Sequence, residues 1–247
     1  MKAPEFKLSL LHPRYWLTWL SLGLSFIVAQ LPYSWQMGLG RILGHLFYRF
    51  ANQRRRIGGT NIELCFPNLS KAERKDLVKE NCISYGLTVV EVGMAWFMPY
   101  RRLRKLFKVK GQEHWQSIQD RGQGALIIGI HFNTLEICNM IINRDFDMYM
   151  SYRPHKNPVF DLVQSWGRQR HNPDSKLLHR RDIRGMVRTM KKGGWLWYAP
   201  DQDYGRKVSK FVPWFGIPAA TVAATPRLLK MAGVSAVGLM HRRLPGN

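Results

Sequence analysis

The run Ala125-Leu-Ile-Ile-Gly-Ile130 stops at His131, and the change of pattern there constrains the fold more than any other stretch of the chain. Small and apolar residues in unbroken succession suit a strand covered on both faces. Beyond the histidine, Thr134, Leu135, Ile137, Cys138, Ile141 and Ile142 recur at helical spacing. A doubly covered strand feeding a helix is the repeating unit of an α/β sheet. His131 then sits at the carboxyl end of a core strand, the edge at which open α/β sheets bind ligands. Glu136 falls about one turn into the following helix. Across a strand–helix turn the two side chains can face each other, which five residues along one helix would not allow. The same spacing also fits a loop histidine beside an unrelated surface glutamate.

From residue 106 onward the alternation continues. Strand candidates are 106–110, 125–130, 148–153, 175–180, 195–200 and 234–241; helix candidates are 134–143, 158–170, 182–192 and 221–231. This predicts an α/β fold with a mostly parallel sheet covered by helices. Gly122-Gln-Gly124 precedes a strand instead of following one, and no P-loop occurs, which argues against ATP or NAD. Several strand ends carry polar punctuation: Tyr152-Arg153-Pro154 with Asn157-Pro158, then Asp201-Gln-Asp203-Tyr204-Gly205, then Phe211-Val-Pro-Trp-Phe-Gly216 and Pro218-Ala-Ala-Thr221. With His131 and Glu136 these converge on one sheet edge. Asp201 and Asp203 fit a metal or a capped turn equally well.

The first half reads differently. Residues 15–40 carry no charge, and Tyr15–Leu31 is a 17-residue apolar stretch before Pro32. As a helix it would be roughly 26 Å long, short against a hydrocarbon core of about 30 Å. The alternatives are a single span, a deep interfacial helix and a core helix; no small-residue cleavage site follows that would mark a signal peptide. Trp16, Trp19, Tyr33 and Trp35 bracket the segment as interface anchors do. Arg41, Arg49, Arg54, Arg55 and Arg56 follow it, against Lys2, Lys7 and Arg14 before it, so the positive-inside rule puts the main domain in the cytoplasm. Two parts are expected: an N-terminal membrane anchor helix, 1–40, and the main domain, 41–247, which carries the candidate site at the sheet edge. Ser70-Lys-Ala-Glu73 is a capping box opening a helix that runs to about Trp96.

Thirty-eight Lys+Arg against 16 Asp+Glu give a net charge of +22, which calls for an anionic partner: nucleic acid, anionic lipid or an acidic carrier protein. No helix-turn-helix, RRM or zinc-finger pattern supports nucleic acid. Cys65, Cys82 and Cys138 form no CxxC pair, so neither a disulfide framework nor a zinc site is expected.

Taken in order, His131-x4-Glu136, Tyr152-Arg-Pro-x-x-Asn157-Pro158, Asp201-Gln-Asp-Tyr-Gly205 and Phe211-Val-Pro-Trp-Phe-Gly216 resemble the late (secondary) acyltransferases of lipid A biosynthesis. These lauroyl and myristoyl transferases belong to the glycerol-phosphate-acyltransferase-like group. Asn61-Ile-Glu-Leu-Cys-Phe-Pro67 is similar to the family's N-terminal pattern, so the resemblance spans essentially the whole chain. It implies an inner-membrane enzyme facing the cytoplasm. The acyl donor would be acyl carrier protein, with no cofactor, and the acceptor a Kdo-bearing lipid A precursor. Family members continue past Leu244-Pro-Gly-Asn247, so a C-terminally shortened form is expected.

Acyl transfer from a thioester to an alcohol needs a base for the hydroxyl and an acid for the leaving thiolate. Imidazole titrates near neutrality and can serve as both. His131 is the expected general base, with Glu136 holding its other ring nitrogen as the carboxylate of a serine-protease triad does. An acyl-Cys138 intermediate is the mechanistic rival. Phosphates and Kdo carboxylates call for arginine. Arg153 is the first candidate and Arg168 the second, with Asn157, Asp201, Asp203 and Tyr204 completing the expected substrate-binding set. Arg181, Arg184 and Arg188 share one helix face, which is either solvated or a dock for acyl carrier protein or anionic headgroups. Rival functions are transfer to a lysophospholipid or another glycolipid, and a non-enzymatic basic protein of membrane surfaces or nucleic acid.

Overall fold

The computed structural model describes residues 4–145, 148–172 and 177–244. Lys2, the first two residues of the 175–180 strand candidate and the terminal Pro245–Asn247 lie outside the described residues. The elements in chain order are α1 (Trp16–Gln30), α2 (Tyr33–Phe50), α3 (Asn52–Cys65), α4 (Lys71–Phe97), α5 (Tyr100–Arg104), α6 (Gln112–Gln119), β1 (Ala125–Ile128), α7 (Leu135–Asp145), β2 (Met148–Tyr152), α8 (Pro158–Gln169), β3 (Leu177–His179), α9 (Ile183–Lys191), β4 (Trp195–Tyr198), β5 (Ser209–Trp214), β6 (Ile217–Val222), α10 (Ala224–Ala232) and β7 (Ser235–Gly238).

Five strands form a parallel sheet in the order β3-β2-β4-β1-β7. Strand residues alternate between its faces. Ala125, Ile127, Met148, Met150, Trp195 and Trp197 point to one side, where Cys138 and Ile142 of α7 and Trp115 of α6 cover them. Leu126 and Leu196 point to the other, against Met186 and Met190 of α9 and Leu228 of α10. The expected α/β class with a helix-covered parallel sheet is therefore observed. The 106–110 candidate pairs with no strand among the described residues; its Phe107 packs on the N-terminal helical core instead. The 221–231 helix begins only at Ala224, because residues up to Val222 belong to the β5–β6 hairpin.

A second helical layer lies on α7 and α8. Met94, Ala95 and Trp96 of α4 pack with Ile137, Met140 and Ile141 of α7 and Val159 of α8, joined by Leu22 of α1 and Met37 of α2. Ser70 and Glu73 close the capping box that starts α4, as its sequence predicts. The α2–α4 crossing is set by glycines: a Cβ on Gly86 would lie 2.2 Å from Gly44 N, and one on Gly44 would lie 2.3 Å from Ile83 Cα. Only hydrogen at both positions lets the two backbones touch.

The N-terminal expectation needs correcting. Leu31-Pro32 ends α1 after 15 residues, about 22 Å of helix, and among the described residues no helix is long and apolar enough to cross a membrane. Instead α1 lies along α4, burying Leu22 and Ala29 and leaving Trp16, Leu17, Leu20, Leu24 and Ile27 exposed. Residue 40, the expected domain boundary, falls inside α2, where Gly40 abuts Leu87 of α4.

Candidate active site

Pairing of β1 with β4 aligns Ala125 with Trp195 and Ile128 with Tyr198. Carried three residues past the strand ends, the same offset brings His131 beside Asp201. The contact is double: Asp201 Oδ1 lies 2.7 Å from His131 Nδ1, and Asp201 Oδ2 accepts the His131 backbone N–H at 2.8 Å. Both side chains are partly exposed, at 36% and 21%. Burial works against ionisation of Asp201, but its hydrogen bonds from His131 outweigh that and hold the carboxyl below its ordinary value. An ionised carboxylate only accepts, so Nδ1 carries a hydrogen, and in the neutral imidazole it is Nε2 that presents the lone pair. No described residue bonds to Nε2. The Trp197 ring stands edge-on to the imidazole at 6.1 Å. Gly129 makes that indole position accessible, since a Cβ there would lie 2.4 Å from Trp197 Nε1.

The expected His131–Glu136 pairing is thus corrected. Glu136 turns inward from the first turn of α7, and the fork of Arg168 clamps it at 2.8 and 2.6 Å while Trp96 Nε1 donates at 2.8 Å. Burial raises its carboxyl pKa, yet the Arg168 charge and the hydrogen bonds prevail and the net direction is downward. Glu136 ties α7 to α4 and α8 and so holds the turn that carries His131.

Arg168 is correspondingly not a free clamp for phosphate: its side chain is 17% exposed and spent on Glu136. Asn157 is also occupied, since its Oδ1 caps α8 by accepting the N–H groups of Val159 and Phe160 and its Nδ2 donates to Thr18 of α1 at 2.8 Å. Asp203 accepts the Gly205 N–H at 2.7 Å and closes a turn. Among the described residues no three His, Cys, Asp or Glu side chains are grouped to hold a metal. Tyr204 is exposed, with the Arg180 guanidinium over its ring at 5.1 Å. Arg153, just past β2, is exposed and has no ion pair among the described residues. Cys138 is buried, which pushes its thiol up to about 12. That leaves it without thiolate character at neutral pH.

Two features escaped the sequence reading. Arg180 stands beyond β3 at the same sheet edge as Arg153, its backbone N–H donating to Tyr152 O at 2.9 Å. Arg243 forks onto Glu91 at 2.6 and 2.7 Å and bonds Ser84, while His241 meets Thr134 at 2.5 Å, strapping the segment after β7 to α4 and to the turn after His131. Nothing local announces these pairings. The His131–Asp201 pair did leave a trace: each residue lies six positions after the first residue of its strand, Ala125 and Trp195.

Comparison with known proteins agrees with this architecture. Residues 3–245 match the family described as "Bacterial lipid A biosynthesis acyltransferase". The lipid A biosynthesis lauroyltransferase of Escherichia coli (strain K12) is 44% identical over 243 residues, covering 98% of this chain and 79% of that protein. The palmitoleoyltransferase of the same organism is 40% identical, covering 94% and 75%, and the myristoyltransferase 28%, covering 96% and 73%. A basic α/β protein with a histidine–carboxylate pair at its sheet edge and this extent of similarity belongs to the bacterial lipid A biosynthesis acyltransferase family.

Proposed function

We propose that the chain transfers a fatty acyl group from acyl carrier protein to the hydroxyl of a hydroxyacyl chain on a Kdo-bearing lipid A precursor. The observation that carries this reading is the His131–Asp201 pair, open to solvent on the Nε2 side. Nε2 takes the proton of the acceptor hydroxyl as its oxygen attacks the thioester carbonyl. Asp201 stabilises the imidazolium that results. Collapse of the tetrahedral intermediate breaks the carbon–sulfur bond, and the imidazolium returns the proton to the departing thiolate. The acceptor hydroxyl is itself the nucleophile. Glu136, through Arg168 and Trp96, is a positioning residue. Arg153 and Arg180 mark the side of the edge suited to phosphate or carboxylate groups of the acceptor.

The acceptor is a lipid, and the N-terminal layer offers it a surface. Besides the exposed face of α1, Trp35, Ile42, Leu46 and Phe50 of α2 are exposed, with Arg41 and Arg49 among them. Apolar and aromatic residues flanked by arginine suit a helix pair lying in the cytoplasmic interface of the bacterial membrane. The donor has a different surface. Arg184, Arg188 and Lys191 of α9 and Arg227 and Lys230 of α10 are exposed on the sheet face opposite the α1–α4 layer. A cationic face turned away from the lipid suits a soluble acidic carrier.

The test is mass spectrometry of a tetra-acylated Kdo-lipid A precursor incubated with the protein and mixed acyl carrier protein thioesters. One added acyl mass is expected, and its size identifies the chain. No added mass, with transfer to a lysophospholipid instead, would replace this acceptor by the other.

A further inference from the structure

Between Asp203 and α10 the chain leaves the sheet as the two-stranded β5–β6 hairpin, which no third strand joins among the described residues. Its residues are unusually apolar for their exposure: Phe211 is 72% exposed, Phe215 57% and Trp214 46%. Isolated hairpins are marginally stable in water, and contiguous exposed apolar surface marks a contact site. The turn adds an independent sign. Trp214 pairs with Ile217, leaving Phe215-Gly216 as a two-residue loop with φ of 49° and 77°. Positive φ at both positions defines a type I′ turn, which strongly favours Asn-Gly. A phenylalanine in the left-handed region stores backbone strain, and such strain persists where a site requires it. Here it places an aromatic ring at the extreme tip.

Charge identifies the occupant. Arg206, Lys207 and Lys210 line the base and first strand of the hairpin, all exposed. Asp203 is the last acidic residue of the chain; none occurs from Tyr204 to Asn247. Aromatic rings beyond a collar of cations match the headgroup and acyl boundary of an anionic bilayer. The base is fixed beside the catalytic pair, since Val222 N–H donates to Pro200 O at 2.8 Å, immediately before Asp201. At the other end the Phe66 ring packs on Phe215 with centroids 5.1 Å apart.

We propose that the β5–β6 hairpin is a second membrane contact, whose Phe211, Trp214 and Phe215 enter an anionic lipid surface beside the His131–Asp201 edge. This rests on the membrane placement proposed above and deepens it: the lipid that carries the acceptor would be gripped next to the reacting atoms, not only at α1 and α2.

The full chain carrying Cys65→Ser and Val212→Cys, labelled at residue 212 with an environment-sensitive fluorophore, is mixed with phosphatidylethanolamine–phosphatidylglycerol vesicles containing headgroup-proximal quencher lipids. Binding is measured in parallel by co-sedimentation. Blue-shifted, quenched emission on sedimenting protein supports the proposal. Unquenched emission on sedimenting protein overturns it while leaving the α1–α2 contact standing. Quenching that requires added lipid A precursor overturns it in favour of an acceptor clamp. Absence of sedimentation overturns every membrane contact, yet leaves acyl transfer to detergent-dispersed acceptor as a separate reading. Phe215→Asn separates lipid contact from folding. It supplies the residue the turn prefers, which offsets the lost Phe66 ring contact, so thermal stability should change little, while vesicle affinity falls about tenfold through the lost ring. Unchanged affinity in that variant refutes the proposal.

Discussion

Replacing Asp201 with asparagine tests which carboxylate serves His131. The asparagine carbonyl can still accept the His131 backbone N–H, now 2.8 Å from Oδ2, which leaves the amide NH2 facing Nδ1 at the 2.7 Å contact. A donor there forces the imidazole proton onto Nε2, where no lone pair remains for the acceptor hydroxyl. The same inversion in serine proteases costs roughly 10⁴ in kcat, or about 5.4 kcal/mol at 1.36 kcal/mol per decade. Stability should change little, because shape and hydrogen-bond count are kept. Glu136→Gln should behave in the opposite way. It leaves the Arg168 charge buried without its counter-ion, at a cost of about 3–5 kcal/mol. For a chain of this size that lowers Tm by roughly 10 °C, with kcat per folded molecule falling far less than in Asp201→Asn. The assay is initial-rate transfer from a radiolabelled acyl carrier protein thioester, normalised to folded protein, beside thermal denaturation. Asp201→Asn retaining kcat within tenfold would refute the pairing. So would Glu136→Gln losing kcat by orders of magnitude at unchanged Tm.

Cys138→Ala should keep transfer activity, because a thiol pushed up to about 12 supplies no nucleophile; loss of turnover in folded variant, with acyl-enzyme detectable in wild type by mass spectrometry, would restore the acyl-cysteine route. Gly86→Ala puts a methyl 2.2 Å from Gly44 N and should cost about 1–3 kcal/mol by overpacking, read as a lower urea midpoint. Arg184→Glu with Arg188→Glu should raise KM for the acyl carrier thioester and flatten its salt dependence, with kcat held; unchanged KM would leave that face merely solvated. His171 and His241 are each pushed down to about 4, chiefly by burial. The unfolded chain therefore binds more protons than the native one between about 4 and 6.5, so stability falls as pH drops through that window. The urea midpoint should decline from about pH 7 to 5, less so in His241→Gln, and a flat profile would contradict neutral burial.

How much was legible depended on the range of the interaction. The Ala125–Ile128, Met148–Tyr152 and Trp195–Tyr198 strands, the capping box at Ser70 and the helix after His131 declare themselves through local periodicity, because period and capping act within a few residues. The β5–β6 hairpin was hidden by Pro213 and Pro218, which look like loop punctuation. They face each other across the ladder in the pair next to the one flanking the turn. At that non-hydrogen-bonded position neither needs an N–H. The N-terminal segment showed its apolar character, while its length and placement depended on Pro32 and on the glycine contact between α2 and α4.

The sequence by itself determined a parallel α/β sheet with His131 at a strand's carboxyl end, a basic surface and an apolar N-terminal layer. Only the tertiary structure decided which acid the histidine meets. Glu136 is five residues away yet is drawn inward by Arg168 and Trp96, whereas Asp201 is 70 residues away yet adjacent, because β4 neighbours β1 in register. Strand order is a property of how the whole chain buries its apolar faces, and no spacing around His131 encodes it.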